Sequence, residues 1–211
     1  MFLSTIPRCL ASPPLGWVNE IMNTNVFILV EGYVKDGGET VQSTVTLIQD
    51  GETNLIVDPG MTKDPFAIVN ALTEHKLTPD DISFVIITHH HPDHTRHMGL
   101  FPKATLIDYS AKYEQDKWYD LPTGDYQITP HVKTMRTPGH TKEDITVLVS
   151  EVHTIEPNKL VTVGICHLWW YEGKEDDPTA QDMIALRESR KKVLGLIDYL
   201  IPGHGNFFKV A

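Results

Sequence analysis

Apolar positions along the chain come in short runs rich in Val, Ile and Thr, broken by Gly, Pro, Asn and Asp. Runs of that length and composition predict strands. "NVFILVEGYV" (25–34) and "STVTLIQ" (43–49) are two of them, and the "KDGGET" between them supplies turn residues, so the pair predicts an antiparallel hairpin. "NLIVDPG" (54–60) predicts a third strand, stopped by Pro59 and Gly60. In "DPFAIVNALTEHKL" (64–77) the apolar spacing becomes helical, with Asp64 as the expected cap and Pro65 at the first helical position. "TPDDIS" (78–83) predicts one short helical turn. "FVIIT" (84–88) is continuously apolar, the pattern of a strand buried on both faces.

The second half repeats this grammar. "ATLIDYS" (104–110), "HVKTMRT" (131–137), "DITVLVS" (144–150) and "KLVTVGIC" (159–166) predict strands. The longest helix is expected over "DPTAQDMIALRESRKKVLGL" (177–196), with Asp177 as its cap and Pro178 first in the helix. "IDYLIPGHGNFFKV" (197–210) predicts a strand, a Gly-flanked His204 and a last short strand. The segment between Tyr109 and Gln127 is too short for a large lid. Two similar halves, with strands early and helices interspersed later, predict a layered α/β (α+β) protein with sheets inside and helices outside. Residues 1–22, which carry prolines at 7, 13 and 14, are expected to form an N-terminal arm, and 23–211 a single domain.

Composition narrows the function classes. The 211 residues carry a formal net charge of −10, which disfavours a general nucleic-acid surface. Two cysteines, Cys9 and Cys166, do not make a disulfide framework, so a reducing, cytoplasmic setting is expected. No apolar run approaches the roughly 20 residues of a membrane span.

"ITHHHPDHTRHMG" (87–99) changes the picture, because it packs five histidines and an aspartate behind the buried strand. A lone histidine there would be an ordinary polar loop residue. His89 and His91 are two apart, so a strand-like segment points both to one side. Asp93 and His94 follow the turn at Pro92. Neutral imidazoles with a carboxylate suit zinc, iron or manganese without any cysteine. His90 alternates away and is expected to be a bystander, whereas His97 is either near the site or merely exposed. "TPGH" and "IPGH" each place a histidine, His140 and His204, after a strand end. One metal is then expected on His89, His91 and His140, and a second position on Asp93, His94 and His204.

At these residues the chain resembles the metallo-β-lactamase-fold hydrolases. The family's Thr-His-x-His-x-Asp-His stands at Thr88 to His94, its later histidines match His140 and His204, and "VDPG" (57–60) resembles its early strand-end motif. The resemblance implies an αββα four-layer sandwich, one or two metal ions at the sheet edges, and Asp58 as a supporting residue beside them. "EGYVKDGGETVQSTVTLIQDGETNLIVDPG", "HMGLFP" and "SRKKVLGLIDYLIPGHGNFFKV" are similar to a subgroup whose eukaryotic members are associated with ribonuclease activity on histone precursor RNA.

One position departs from the pattern. After "LVTVG" the family places Gly-Asp, whose carboxylate bridges two metals, but here Gly164 is followed by Ile165, Cys166 and His167. Isoleucine cannot ligate. Either the second metal is weak or absent, or Cys166 or His167 replaces the carboxylate, or activity is lost. Trp169, Trp170 and Tyr171 follow, as candidate walls of a substrate pocket or as core and dimer contacts. The leading expectation is a hydrolase that uses metal-activated water, positioned by Asp93, on an ester, thioester, amide or phosphodiester. Its partner would be a small molecule or an RNA phosphodiester, with no membrane and with a homodimer as a candidate assembly. A mononuclear iron oxidoreductase of the persulfide dioxygenase kind and a non-catalytic metal-binding protein are the alternatives.

Overall fold

Period-two alternation builds the sheets, and the side chains on their two faces build the layers. In the computed structural model, residues 24–64, 66–154 and 159–210 are described. The expected arm, 1–22, lies outside them. The first half holds β1 (Thr24–Val30), β2 (Tyr33–Lys35), β3 (Thr40–Gln42), β4 (Val45–Asp50), β5 (Thr53–Val57), α1 (Phe66–Glu74), β6 (Phe84–Ile86), α2 (Pro92–Thr95), β7 (Thr105–Ile107), β8 (Ala111–Glu114) and β9 (Lys117–Asp120). The second holds β10 (Tyr126–Gln127), β11 (Val132–Arg136), β12 (Ile145–His153), β13 (Leu160–Ile165), α3 (Met183–Leu194), β14 (Tyr199–Ile201) and β15 (Phe208–Lys209).

β1 and β4 form the expected antiparallel pair, but the run 25–34 breaks into two strands, and β2 pairs with β3 in a separate ribbon. β4–β5 is antiparallel, and β5–β6–β7 is parallel. The β8–β9 hairpin occupies the edge. Its strand β9 is exposed throughout, which is why no apolar alternation announced it. In the second half β11, β12 and β13 are antiparallel neighbours, and β14 runs parallel to β13. Among the described residues β1 pairs in parallel with β12 through Thr24 and Val152, and the halves are also joined by Ile145 N donating to Thr88 O at 2.9 Å and Thr44 N to Gly203 O at 2.8 Å.

Leu55, Val57 and Ile86 of the first half pack with Ile145, Val147, Val149 and Ile165 of the second, filling the space between the sheets. The alternate residues Leu47, Ile56, Val85 and Ile87 face outward onto Ile68 and Leu72 of α1. On the other side Leu148, Cys166 and Leu200 pack on Leu186 and Val193 of α3. The layers are therefore helix, sheet, sheet, helix: the αββα sandwich. Each fully buried aliphatic side chain contributes about 1.5–3 kcal/mol to holding them together.

The helix caps show how side-chain competition sets boundaries. Asp64 caps α1 as expected, accepting from Phe66 N at 2.9 Å. α3 does not begin after Asp177. It starts six residues later, capped by Asp182, whose carboxylate accepts from Ile184 N and Ala185 N. Asp177 is taken by a different partner, His140.

Asp50, buried at the end of β4, ties the halves together. It accepts hydrogen bonds from Thr24 Oγ1, Thr129 Oγ1, His131 N and His131 Nδ1, the last at 2.7 Å. Burial disfavours its charge, but these donors outweigh that and hold its pKa below the ordinary value. Replacing Asp50 by Ala should cost roughly 2–4 kcal/mol at pH 7 in denaturant unfolding, since it orphans the buried Thr24 hydroxyl and the half-buried donors of Thr129 and His131. Because the folded pKa is depressed, this stabilisation is present above the unfolded carboxylate's pKa of about 3.9 and fades as pH falls through the folded one. The gap between wild type and Asp50→Ala should therefore narrow at pH 3. A gap that stays constant would contradict the assignment.

Candidate metal centre

Seven candidate donors come from the C-terminal ends of strands in both halves. After β5 the chain enters Asp58 with φ of 49°, a left-handed conformation unusual for a residue with a side chain. That turn aims the carboxylate at the end of β6, where it accepts from Thr88 N at 2.8 Å and Thr88 Oγ1 at 2.6 Å. His89 and His91 follow, and Pro92 opens the single turn α2 that carries Asp93 and His94. From the second half, His140 follows β11, His167 follows β13 and His204 follows β14.

The two Pro-Gly-His turns are shaped by close approach. A Cβ on Gly139 would lie 2.3 Å from the Leu186 Cα, so the turn can sit flat on α3 only without a side chain. A Cβ on Gly203 would lie 2.0 Å from His167 Nδ1. The main chain of the last turn is also bonded to the His167 segment, with Gly203 N donating to Trp169 O at 3.0 Å and His204 N to Trp170 O at 2.7 Å.

Outer acceptors fix the tautomers. His94 Nδ1 donates to Asp58 Oδ2 at 2.7 Å, His140 Nδ1 to Asp177 Oδ2 at 2.8 Å and His204 Nδ1 to Gln42 O at 2.8 Å. Thr88 Oγ1 spends its proton on Asp58, so it accepts from His89 Nδ1 at 3.2 Å. In each of these four rings the Nε2 is then a bare lone pair facing the interior. His89 Nε2 and His140 Nε2 both lie 3.0 Å from His91 Nδ1, which has at most one proton to share between them. His94 Nε2 and His167 Nδ1 are buried with no hydrogen-bond partner. A buried lone pair without a donor is costly, and several brought close together are what a cation satisfies.

Three overlapping sets of donors, each within 4.8 Å of one another, could hold an ion: His89, His91 and His140; His89, His94 and His167; Asp93, His94 and His204. Asp93 Oδ2 lies 3.5 Å from His94 Nε2 and 3.8 Å from His204 Nε2. The residues present thus fit a divalent metal: lone pairs face inward, a carboxylate stands beside them, and the N–H groups are occupied outside.

Burial and crowding keep most of these rings neutral, the form that binds metal. Burial and then the neighbouring imidazoles push His89 and His167 well below the ordinary histidine value, and the same causes lower His204 to about 4. His91, less buried, is lowered more mildly. Burial also opposes charge on His94, but the Asp58 carboxylate beside it prevails and raises its pKa. Asp177 is held down to about 2, because the bonds from His140 and Thr179 outweigh its burial.

The remaining sequence candidates separate cleanly. His90 turns away to Asp108 at 3.2 Å. His97 Nε2 donates to Thr62 O at 3.2 Å and does not enter the cluster. Ile165 is a strand residue between the sheets, and Cys166 points the opposite way into the core under α3, where burial raises its thiol to about 12. Cys166 is therefore not a substitute ligand, whereas His167 lies among the histidines, its ring centroid 4.1 Å from that of His140 and 4.6 Å from that of His89. Trp169 does not wall a pocket; it is buried in the core beneath α3 with Arg190 over its ring. Trp170 flanks the cluster, 6.3 Å from the His204 ring, and Tyr171 is exposed. Sequence reading missed Asp177, whose acidic run gave no local signal of a partner 37 residues away.

The chain matches the family model described as metallo-beta-lactamase superfamily over residues 38–176, and it belongs to that superfamily. It is 32% identical over 201 residues to metallo-beta-lactamase domain-containing protein 1 of Xenopus laevis, covering 88% of this chain and 82% of the relative. A Caenorhabditis elegans protein is 29% identical over 181 residues, and there the match covers 80% of this chain but only about half, 49%, of the relative. A Thermotoga maritima crystal structure described as a candidate metallo-beta-lactamase superposes with a TM-score of 0.64 at 24% identity, covering 89% of this chain and 99% of that one. An N-acyl homoserine lactone hydrolase with N-hexanoyl-L-homoserine at its catalytic metal centre gives 0.61 at 18% identity, with coverage of 86% and 92%. Among the described residues no helix is long and apolar enough to cross a membrane.

Asp177 should matter to the metal through His140. Asp177→Asn, which keeps the shape and loses the charge, should weaken divalent-metal affinity by about 10–100-fold. Competition with a chromogenic chelator checks this, and unchanged affinity would remove Asp177 from the site.

Proposed function

We propose that this chain is a metal-dependent hydrolase cleaving an ester-type bond in a small molecule, with zinc as the metal and a lactone as the first substrate to try. The observation that carries the proposal is the inward convergence of four imidazole lone pairs, each locked from outside, beside the carboxylate of Asp93. A nitrogen-rich donor set favours zinc over magnesium or calcium. The lactone follows from the hydrolase whose fold this chain shares and whose product sits at its metal centre.

A bound zinc ion would act as Lewis acid and bring the pKa of a water to about 7. The chain's own residues do the rest. The clustered histidines would hold the ion, with Asp58 fixing the ring of His94 and, through Thr88, that of His89, and Asp177 fixing that of His140. Asp93, partly exposed beside His94 and His204, is placed to orient the nucleophile and take its proton. Substrate approaches His91, the most exposed imidazole of the cluster, through an open cavity of about 330 Å³ lined also by His90, Thr141, Lys142, Glu143 and Gln181. A rim bearing both an ammonium and a carboxylate suits a small polar molecule. A polyanion such as RNA faces the chain's net charge of −10.

The His89→Ala/His91→Ala double variant should lose bound metal and, with it, at least about three orders of magnitude in hydrolysis. Metal analysis alongside a lactone, thioester, β-lactam and phosphodiester panel checks both. Turnover surviving in the metal-free variant overturns the mechanism. Wild-type protein that is metal-loaded yet inert on every substrate overturns the hydrolase reading, and iron content with oxygen uptake redirects it to redox chemistry.

A further inference from the structure

Three donor sets overlap in this centre, and the middle one contains a residue without precedent in the pattern that the sequence resembles. His89 belongs to the first and second sets, and His94 to the second and third. Each of these rings has one inward nitrogen, because the other donates to Thr88 or Asp58. An ion on His89, His94 and His167 therefore takes a ligand from both outer positions at once. It leaves His91 with His140 on one side and Asp93 with His204 on the other.

His167 is built into this place. It is 5% exposed and its ring lies within 5.0 Å, centroid to centroid, of four other histidine rings. Gly203 leaves room for it, since any side chain there would collide with its Nδ1. Two backbone bonds from 203 and 204 hold its segment against the last turn. Strand alternation sends Cys166 outward and brings His167 back to the side of Ile165, so the residue reaching the site stands two positions beyond the isoleucine.

Charge then decides the occupancy. Two divalent ions in one site sit roughly 3.5–4 Å apart, and their repulsion is about four times that of two unit charges at that distance. A carboxylate between them offsets it; a neutral imidazole does not. Asp93 is the only carboxylate in any of the three sets.

We propose that His167 replaces the bridging anion of a two-ion centre with a neutral ligand and so makes this a site for one divalent ion. The proposal rests on the metal-binding part of the functional reading but not on hydrolysis.

The test is stoichiometry. Wild-type protein equilibrated with excess zinc and desalted should carry 1 ion per chain by plasma mass spectrometry, and cobalt titration should saturate at one equivalent. His167→Asp, which restores an anion, should raise both values toward two. His167→Ala should keep one equivalent or fewer, with a changed cobalt ligand-field spectrum. Circular dichroism of each variant checks folding. Two tightly held equivalents in the wild type overturn the proposal without any variant. So do a folded His167→Asp that stays at one and a folded His167→Ala whose cobalt spectrum is unaltered. One ion with no turnover overturns the hydrolase reading alone; turnover with two ions overturns this proposal alone.

Discussion

The Asp58 carboxylate accepts from the Thr88 amide, the Thr88 hydroxyl and His94 Nδ1 at once, from a left-handed backbone that few residues with side chains adopt. These bonds fix where β5 ends relative to β6 and which nitrogen of His94 faces inward. Through the Thr88 hydroxyl they also fix the ring of His89. Asp177 and the Gln42 carbonyl do the same for His140 and His204 from other parts of the chain. Without such outer acceptors, each imidazole would turn an N–H toward its neighbour and the cluster would become an ordinary buried hydrogen-bond network. The fold's contribution to the chemistry is this denial of protons to the interior.

Much of this was legible in the sequence, for an identifiable reason. His89, His91, Asp93 and His94 are local: one strand end and one turn place all four, so spacing alone carries the message. His140 and His204 were legible because Pro-Gly before a histidine marks a turn that needs close backbone approach, and both glycines do press on neighbours. The four layers followed from alternation, as in Leu55, Ile56 and Val57, which face core, helix and core in turn.

What sequence reading lost was decided by tertiary contact. Asp177 satisfies every local rule for a helix cap, yet its carboxylate is committed to His140 and the helix waits for Asp182. The gap at Ile165 left Cys166 and His167 as alternatives, because sequence alone does not show which of the two faces the site. The strand's parity carries the chain two residues further, to His167, before a side chain meets the site. Adjacent Trp169 and Trp170 could not be told apart as core and rim until the exit direction of β13 was known. The β8–β9 hairpin is short and its strand β9 is exposed throughout, so it lacks the apolar alternation of a buried strand.

The donor sets draw on both halves of the sandwich, which gives the centre a second part to play across the seam between them. His91 and His140 lie 49 residues apart, on opposite sides of that seam. An ion gripping both acts as a removable cross-link, closing a long loop in the way a disulfide would. Each of the three donor sets takes residues from both halves, so each is complete only once the halves have docked. Metal affinity and the docking of the two halves are then linked, so that each strengthens the other.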